Sequence, residues 1–219
     1  MSDGLPAPIT EQARTVGQVW GVFLPLALGV LAMVVLLVGF VVIRYRRRGD
    51  GLPAQNQYRI KLELVYTVVP LLVVLGLFGL TVVTLPDVES TGPDPDLQVE
   101  VVGFQWQWQF SYPESGVVVR GTDSTEPVLT LPEGADVRFE ISSADVIHSF
   151  WVPGFRFKRD AIPGRTTAFD VTITGDPGDY PGGVCAEFCG LDHDKMRFSV
   201  RILPADEFDA WLVDQEEGA

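Results

Sequence analysis

Two long apolar stretches occupy much of the first 90 residues of the chain. No charged residue occurs between Arg14 and Arg44, and positions 19–43 inside this interval are long and apolar enough to cross a bilayer as a helix. A second apolar stretch covers positions 64–86. This pattern predicts a hairpin of two transmembrane helices, at 19–43 and 64–86, followed by a soluble part.

The charges that flank these stretches predict the orientation of the hairpin. The N-terminal segment, 1–18, has no basic run, which indicates a retained first helix and not a cleaved signal peptide. The connecting segment, 44–63, is basic, and basic loops stay on the cytoplasmic side. We therefore expect a multi-pass protein of the cell membrane, with the N-terminal segment and everything from position 87 onward outside. The basic residues of the connecting segment are Arg44, Arg46, Arg47, Arg48, Arg59 and Lys61.

Short runs rich in valine, isoleucine, phenylalanine and threonine follow between positions 87 and 204. Clusters of glycine, proline and aspartate separate them, one of them at 175–183, and such punctuation is typical of antiparallel β-structure. The runs alternate apolar and polar residues, as the strands of a sandwich or barrel do. The sequence thus predicts an all-β domain at 87–204, with strands at 97–102, 117–120, 137–141, 167–173 and 197–202.

The last residues, 205–219, predict a short amphipathic helix and an acidic tail. Phe208, Trp211 and Leu212 stand at positions i, i+3 and i+4, which places them on one face of a helix. An aromatic stripe of this kind is expected to pack against the β-domain.

The charge is concentrated in the predicted β-domain. The chain has a net charge of −13, and from position 87 onward it contains 25 acidic against 9 basic side chains. So strong an excess of negative charge excludes nucleic acid and anionic lipid headgroups as partners of this domain. It favours a basic soluble partner, or an environment of concentrated salt.

One loop near the C-terminus holds most of the candidate chemistry. Cys185, Cys189, His193 and Met196 follow one another within twelve residues, and His148 is the only other histidine of the chain. Thiolate, imidazole and thioether together select copper, because soft sulfur donors match Cu(I) and imidazole suits both oxidation states. The set therefore predicts a copper electron carrier.

Two other interpretations of these residues stay open at this point. The two cysteines, in an extracytoplasmic domain, could form a disulfide in a structural module, although a bridge between Cys185 and Cys189 closes only a small loop and stabilises little. Two cysteines and two histidines could also bind zinc, which would leave Met196 without a role because thioether is a poor zinc ligand.

The residues around these positions resemble subunit II of haem-copper oxidases of the cytochrome c oxidase type. The resemblance covers nearly the whole chain, and its most specific part is the loop from Cys185 to Met196. Tyr66, Phe104 and Gln107 depart from the family pattern, without removing a metal ligand. The matching segments are the helical hairpin and positions 63–70, 103–108, 145–150, 160–165 and 185–196.

The resemblance implies a cupredoxin-like β-barrel with a binuclear copper centre, called CuA. In the family the two thiolates bridge both copper ions, two histidines each bind one copper, a methionine binds weakly and a glutamate supplies its backbone carbonyl. The corresponding residues are His148, Cys185, Glu187, Cys189, His193 and Met196.

The resemblance also implies roles for four neighbouring groups. Trp106 matches the tryptophan through which electrons arrive from the donor, and the Glu187 side chain matches a carboxylate that binds magnesium against subunit I. Glu63, at the cytoplasmic end of the second span, matches a position of proton uptake. Asp145 is expected to dock the donor or to orient His148.

The implied function is that of an oxidase subunit which catalyses nothing alone. A soluble donor, cytochrome c or a small blue copper protein, would deliver electrons outside the cell, and the copper pair would pass them to haem in subunit I, where oxygen is reduced to water and protons are pumped. Other oxidase subunits and the lipid bilayer are the remaining expected partners. The alternative is a membrane-anchored copper-delivery chaperone, which would require a thioredoxin-like scaffold; a quinol oxidase subunit would lack the copper ligands.

Overall fold

The structure is a computed structural model that describes residues 4–47, 49, 56, 58–122 and 124–217. The chain forms two compact units, one of residues 18–85 and one that joins residues 1–17 to residues 86–219. Eight of the twenty residues of the basic connecting segment 44–63, Arg48 among them, lie outside the described residues.

The first unit consists of two long apolar helices, as predicted. Helix α1 spans Glu11–Arg44 and helix α2 spans Ile60–Glu89, and each is long and apolar enough to cross a membrane. In the most apolar part of each helix, no residue is buried within the protein. The side chains there are therefore available to lipid or to a neighbouring subunit. The Thr10 hydroxyl accepts a hydrogen bond from Ala13 N at 3.1 Å and so caps the start of α1.

The second unit is a β-sandwich of two five-stranded sheets, followed by helix α3 at Ala205–Glu217. The first sheet has the order β3-β2-β1-β5-β8, and the second has the order β4-β10-β9-β6-β7. The strands are β1 Leu97–Phe104, β2 Gln107–Tyr112, β3 Val117–Arg120, β4 Val128–Pro132, β5 Asp136–Ser143, β6 His148–Val152, β7 Phe157–Ala161, β8 Thr167–Thr172, β9 Gly178–Cys185 and β10 Arg197–Leu203.

The prediction of purely antiparallel structure was wrong for two pairs of strands. β1 runs parallel to β5, with Leu97 opposite Val137, and β4 runs parallel to β10. In both cases the connection between the paired strands is long, and it passes through other strands of the sandwich before the chain returns.

The expectation that 175–183 is a turn cluster was also wrong, because β9 begins at Gly178. The strand needs its glycines: a Cβ atom at Gly183 would lie 2.4 Å from the ring of Phe198, which covers this part of the strand. Glycine at position 183, which is typical of a turn in the sequence, therefore allows the Phe198 ring to pack closely on the strand.

Aromatic rings fill the space between the sheets. Phe150 of β6 stacks on Phe198 of β10 at 4.9 Å between centroids, and Trp108 meets both rings edge to face. At the other end of the domain, Phe208 and Trp211 of α3 pack against Tyr112. The core therefore extends from α3 to the end of the sandwich that carries His148.

The segment before α1 and the first turn of α1 belong to this β-domain. Ile9 and Ala13 are buried, and the backbone of Ile9 bonds to the backbone of Gly154, Thr174 and Gly175 at 2.9 to 3.1 Å. The guanidinium of Arg156 donates two hydrogen bonds to Pro6 O, at 2.7 and 3.1 Å. The N-terminal segment thus lies along the edge of the sandwich.

Candidate metal centre

Three strands of one sheet position the metal-ligand candidates. His148 is the first residue of β6, Cys185 is the last residue of the neighbouring strand β9, and Met196 stands directly before β10. The loop between β9 and β10 carries Cys189 and His193, and a hydrogen bond of 3.0 Å from Cys185 N to Met196 O closes its two ends. All the donors therefore come from one loop and one adjacent strand of a rigid sheet.

The candidate donor atoms lie close together. The sulfurs of Cys185 and Cys189 are 3.9 Å apart, which is far too long for a disulfide bond. One imidazole nitrogen approaches each sulfur, and the remaining two donors lie next to the same pair. The distances are 3.8 Å from Cys185 Sγ to His148 Nδ1, 3.2 Å from Cys185 Sγ to Glu187 O, 3.6 Å from Cys189 Sγ to His193 Nδ1 and 3.8 Å from Cys189 Sγ to Met196 Sδ.

These separations fit a metal site. Donors bound to one tetrahedral metal at about 2.0–2.3 Å lie roughly 3.3–3.8 Å apart, close to the spacing of these atoms. Ligand atoms of His148, Cys185 and Cys189 all lie within 4.8 Å of one another, and all three side chains are buried. A soft donor set with a thioether fits copper better than zinc. The chemistry of the donors therefore supports a copper site.

Asp145 orients His148. Its Oδ1 atom lies 2.8 Å from His148 Nε2, and an ionised carboxylate can only accept, so Nε2 carries a hydrogen and Nδ1, which faces Cys185, is the nitrogen left to bind a metal. A carboxylate behind a histidine in this way is usual at metal sites. Burial lowers the pKa of His148, but the hydrogen bonds to Cys185 and Asp145 outweigh it, and the pKa is raised.

The two thiols differ in the metal-free protein. Burial raises the pKa of Cys185, but hydrogen bonds with His148 and with the backbone at Glu187 bring it down to about 6. Burial and the negative charge of Cys185 raise the pKa of Cys189 to about 12. The pair therefore holds one negative charge at neutral pH, and binding of a metal to both sulfurs must release a proton.

Trp106 lies next to the ligand loop. It follows β1 in the turn to β2, and its ring touches Gly190: a Cβ atom at Gly190 would lie 3.2 and 3.3 Å from two atoms of the ring. Its neighbour Gln105 donates a hydrogen bond of 2.7 Å from Nε2 to Cys189 O. The sequence-based reasoning did not select Gln105, because a contact across 84 positions leaves no signal in the spacing of one sequence.

The other predicted site residues lie at the surface or in the helical unit. The Glu187 side chain is exposed, and so are its neighbours Phe188 and Leu191, at 77% and 85%. Glu63 lies in the first turn of α2, where its Oε1 atom accepts a hydrogen bond from Arg59 N at 3.1 Å. It belongs to the other unit of the chain and contributes nothing to the donor cluster of the β-domain.

The fold and the site together define a class of protein: an extracytoplasmic cupredoxin-like β-domain with a soft-metal centre, anchored by two apolar helices. Comparison with known proteins agrees. Residues 97–203 match the family model described as cytochrome c oxidase subunit II, periplasmic domain. The chain belongs to the cytochrome c oxidase subunit II family, and it is a subunit of a haem-copper oxidase.

Individual relatives support this conclusion. A probable cytochrome c oxidase subunit 2 of Streptomyces coelicolor is 36% identical, and the match covers 96% of this chain and 78% of the relative. The crystal structure of the periplasmic domain of subunit II (CoxB) of Bradyrhizobium japonicum matches with a TM-score of 0.53 and 28% identity, over 58% of this chain and 99% of that one. A crystal structure of the mixed disulfide intermediate between thioredoxin-like TlpA and subunit II (CoxB) also matches, with a TM-score of 0.51 and 28% identity. This match covers 58% of this chain and 96% of that one.

Proposed function

We propose that the donor cluster of this subunit II binds two copper ions and that it accepts electrons from a soluble donor outside the cell for delivery to haem in subunit I. The observation that carries the proposal is the clustering of six candidate ligand atoms, in which neighbouring atoms are 3.2 to 3.9 Å apart. Copper ions held by these donors would supply one-electron chemistry, and the fixed positions of the donors would limit the rearrangement that accompanies the change of charge.

Two ions fit this donor set better than one. Soft metals in sites of this kind take about four ligands, whereas six donors are gathered here. The sulfurs of Cys185 and Cys189 lie between the imidazoles of His148 and His193, so that two ions which share both sulfurs would use every donor. Glu187 O and Met196 Sδ would complete the two coordination shells as weaker ligands.

Trp106 and Asp145 are proposed to lie on the side of the site that receives the soluble electron donor. The Trp106 ring contacts Gly190, the residue after Cys189, and so gives a short path from the surface to a ligand. Asp145 is partly exposed and holds His148 from the same side. The excess of acidic over basic residues from position 87 onward favours a basic donor such as a cytochrome c, with a small copper protein as the other candidate.

The exposed part of the ligand loop is proposed to face subunit I. Phe188 and Leu191 place large apolar side chains in solvent beside the site, as expected of a surface that a partner covers. The exposed Glu187 carboxylate is a hard oxygen donor suited to magnesium at that junction. Glu63 is proposed as a proton-uptake group on the cytoplasmic side, with the hairpin at 19–43 and 64–86 in the cell membrane.

A thiol-disulfide exchange protein is a further proposed partner before copper is bound. The mixed disulfide between TlpA and CoxB is a property of that relative, whose fold is similar to that of the β-domain of this chain. Here hydrogen bonds with His148 and with the backbone at Glu187 lower the pKa of Cys185 despite its burial, which favours the thiolate, the form that takes part in disulfide exchange. The copper-chaperone alternative is not supported, because the scaffold is a β-sandwich and not a thioredoxin-like α/β fold.

Copper stoichiometry and electron paramagnetic resonance of the full chain in detergent test the proposal. The full chain is required because Ile9 and Ala13 complete the β-domain. Two copper ions per chain that share one unpaired electron are expected. Cys185→Ser and Cys189→Ser should abolish that signal, and Met196→Leu should alter it, whereas the control Met33→Leu, in an exposed position of α1, should not. A single copper ion with an ordinary mononuclear signal would refute the proposal.

A further inference from the structure

Gln105 lies between Trp106, which is proposed to face the electron donor, and the loop that carries the candidate metal ligands. We propose that Gln105 is a positioning residue for electron uptake, whose hydrogen bonds fix Trp106 against the turn that carries Cys189. This inference rests on the proposed function, because it assigns Gln105 a part in the path from Trp106 to the copper ligands.

The side chain of Gln105 ties the β1–β2 turn to the ligand loop. Its Nε2 atom lies 2.7 Å from Cys189 O, and because a backbone carbonyl can only accept, the amide must present its NH2 group. The carbonyl and the proposed ligand sulfur belong to the same residue. The hydrogen bond therefore restrains the backbone that places the Cys189 sulfur.

The backbone of Gln105 reaches the carboxylate that holds His148. Gln105 N donates to Asp145 Oδ2 at 2.7 Å, and Asp145 Oδ1 holds His148 Nε2 at 2.8 Å. One residue thus connects a thiolate ligand through its side chain and an imidazole ligand through its main chain. Loss of the side-chain bond leaves the connection to Asp145 in place.

Gly190 shows how closely the turn fits the loop. A Cβ atom at Gly190 would lie 3.1 Å from Gln105 Nε2 and 3.2 Å from Trp106 Nε1, and the φ angle of +124° also favours glycine. The backbone of the loop is therefore in direct contact with both side chains.

Packing, and not a hydrogen bond, holds the Trp106 ring. Its Nε1 atom is buried and has no hydrogen-bond partner in the part of the chain that the structure describes. The ring packs against the hydrophobic core and against Gly190, and its covalent neighbour Gln105 ties this side of the ring to the ligand loop. Removing the amide of Gln105 should loosen the contact between ring and loop without touching any proposed copper ligand.

Two variants of the full chain in detergent test the proposal. Gln105→Met keeps the length of the side chain and removes the hydrogen-bond donor. The matched control is Gln109→Met in β2, because among the described residues the Gln109 amide bonds to Ser111 of its own strand, at 3.3 Å, and not to the ligand loop. If Gln105→Met does not fold, as judged by near-ultraviolet circular dichroism, Gln105→Asn replaces it, since its amide is one methylene too short to reach the carbonyl.

The first measurement uses the metal-free protein and does not depend on copper. The rate at which iodoacetamide alkylates the two thiols should rise about fivefold in Gln105→Met, the ratio that corresponds to a lost hydrogen bond of about 1 kcal/mol. The control should react at the parental rate. Equal rates in Gln105→Met and in the parent would show that Gln105 does not restrain the loop and would overturn the proposal.

The second measurement separates electron uptake from a purely structural role. The copper-loaded Gln105→Met protein should accept electrons from reduced cytochrome c about tenfold more slowly than the parent does. A misplacement of about 1 Å in a positioned reaction costs roughly 100-fold in rate, and a looser Trp106 ring is a smaller change than that. Reduction by dithionite, which needs no docking, should be unchanged. In a Trp106→Phe background, Gln105→Met should have no further effect.

The outcomes distinguish this inference from the proposed function. An unchanged rate with cytochrome c, an equal slowing with dithionite, or a full effect in the Trp106→Phe background would each overturn the role of Gln105. Failure of the parent chain to bind two copper ions would instead overturn the proposed function, and with it the part assigned to Gln105 in electron uptake.

Discussion

Replacing Ile9 by alanine should destabilise the β-domain, although Ile9 precedes the first membrane helix and lies more than 80 residues before β1. Its side chain is only 2% exposed. It fits between two glycines: a Cβ atom at Gly154 would lie 3.0 Å from Ile9 Cδ1, and one at Gly175 would lie 2.9 Å from Ile9 Cβ. Neither glycine has a side chain that could fill the space left by the substitution.

The expected loss follows from burial and from the cavity. Truncation of a buried isoleucine to alanine costs about 2–5 kcal/mol, and a rigid strand edge that cannot collapse favours the middle of that range. About 3 kcal/mol corresponds to a fall in Tm on the order of 10 °C for a domain of this size. The backbone hydrogen bonds of Ile9 to Gly154, Thr174 and Gly175 are kept in the variant, so the effect reports side-chain packing alone.

Thermal unfolding of the full chain in detergent, followed by near-ultraviolet circular dichroism, measures this loss in the aromatic core. Val118→Ala is the matched control, because Val118 of β3 is 56% exposed and its truncation should cost under about 1 kcal/mol. A second comparison uses Gly154→Ala, whose new methyl group should occupy space vacated in Ile9→Ala and partly restore stability. Equal shifts in Ile9→Ala and Val118→Ala would refute the reasoning, because Ile9 would then not be part of the core.

Three further outcomes are expected. Tyr112→Phe should cost about 1–3 kcal/mol in denaturant unfolding, because the buried Tyr112 hydroxyl both donates to and accepts from the backbone of one residue of β4, at 2.9 and 3.0 Å; an unchanged midpoint would contradict this. The hydroxyl of Ser149, assisted by a lysine, holds the pKa of Asp160 below its usual range, so that Asp160 adds stability above its unfolded pKa and loses it as the pH falls through its folded pKa. Asp160→Asn should therefore lower the free energy of unfolding at pH 7, and this difference should shrink as the pH falls through the folded pKa of Asp160, which unfolding at a series of pH values measures. Asp145→Asn should weaken copper binding about 10- to 100-fold in a competition titration, because His148 loses the carboxylate that fixes its tautomer; unchanged affinity would exclude that role.

The sequence was sufficient for features that depend on local spacing. The two apolar helices follow from the length of uncharged stretches, and the convergence of Cys185, Cys189, His193 and Met196 follows from their place in one loop between two strands. His148 was assigned from the chemistry of the donor set and from family resemblance. These signals are carried by residues close in sequence or by rare residue types, which a single chain reveals.

Contacts between distant segments could not be predicted in this way. Gln105 meets Cys189 across 84 positions and Arg156 meets Pro6 across 150, and neither pair has a composition that marks it. The glycines of β9 read as a turn because their purpose, the approach of the Phe198 ring, lies on another strand. The parallel pairing of β1 with β5 was missed because strand order depends on how the two sheets close on the core.

The metal site takes its geometry from the core of the sandwich. The His148 ring meets Trp108 edge to face, with ring centroids 6.1 Å apart, and a Cβ atom at Gly103 would lie 3.1 Å from the His148 ring, so packing restricts the rotation of the imidazole. Phe150, two residues further along β6, pairs with Cys185 across the sheet. The donors on β6 and at the end of β9 are therefore held by strand pairing and by aromatic packing before any metal arrives. A site built in this way restricts the motion that accompanies a change of charge, which is what a rapid one-electron carrier requires.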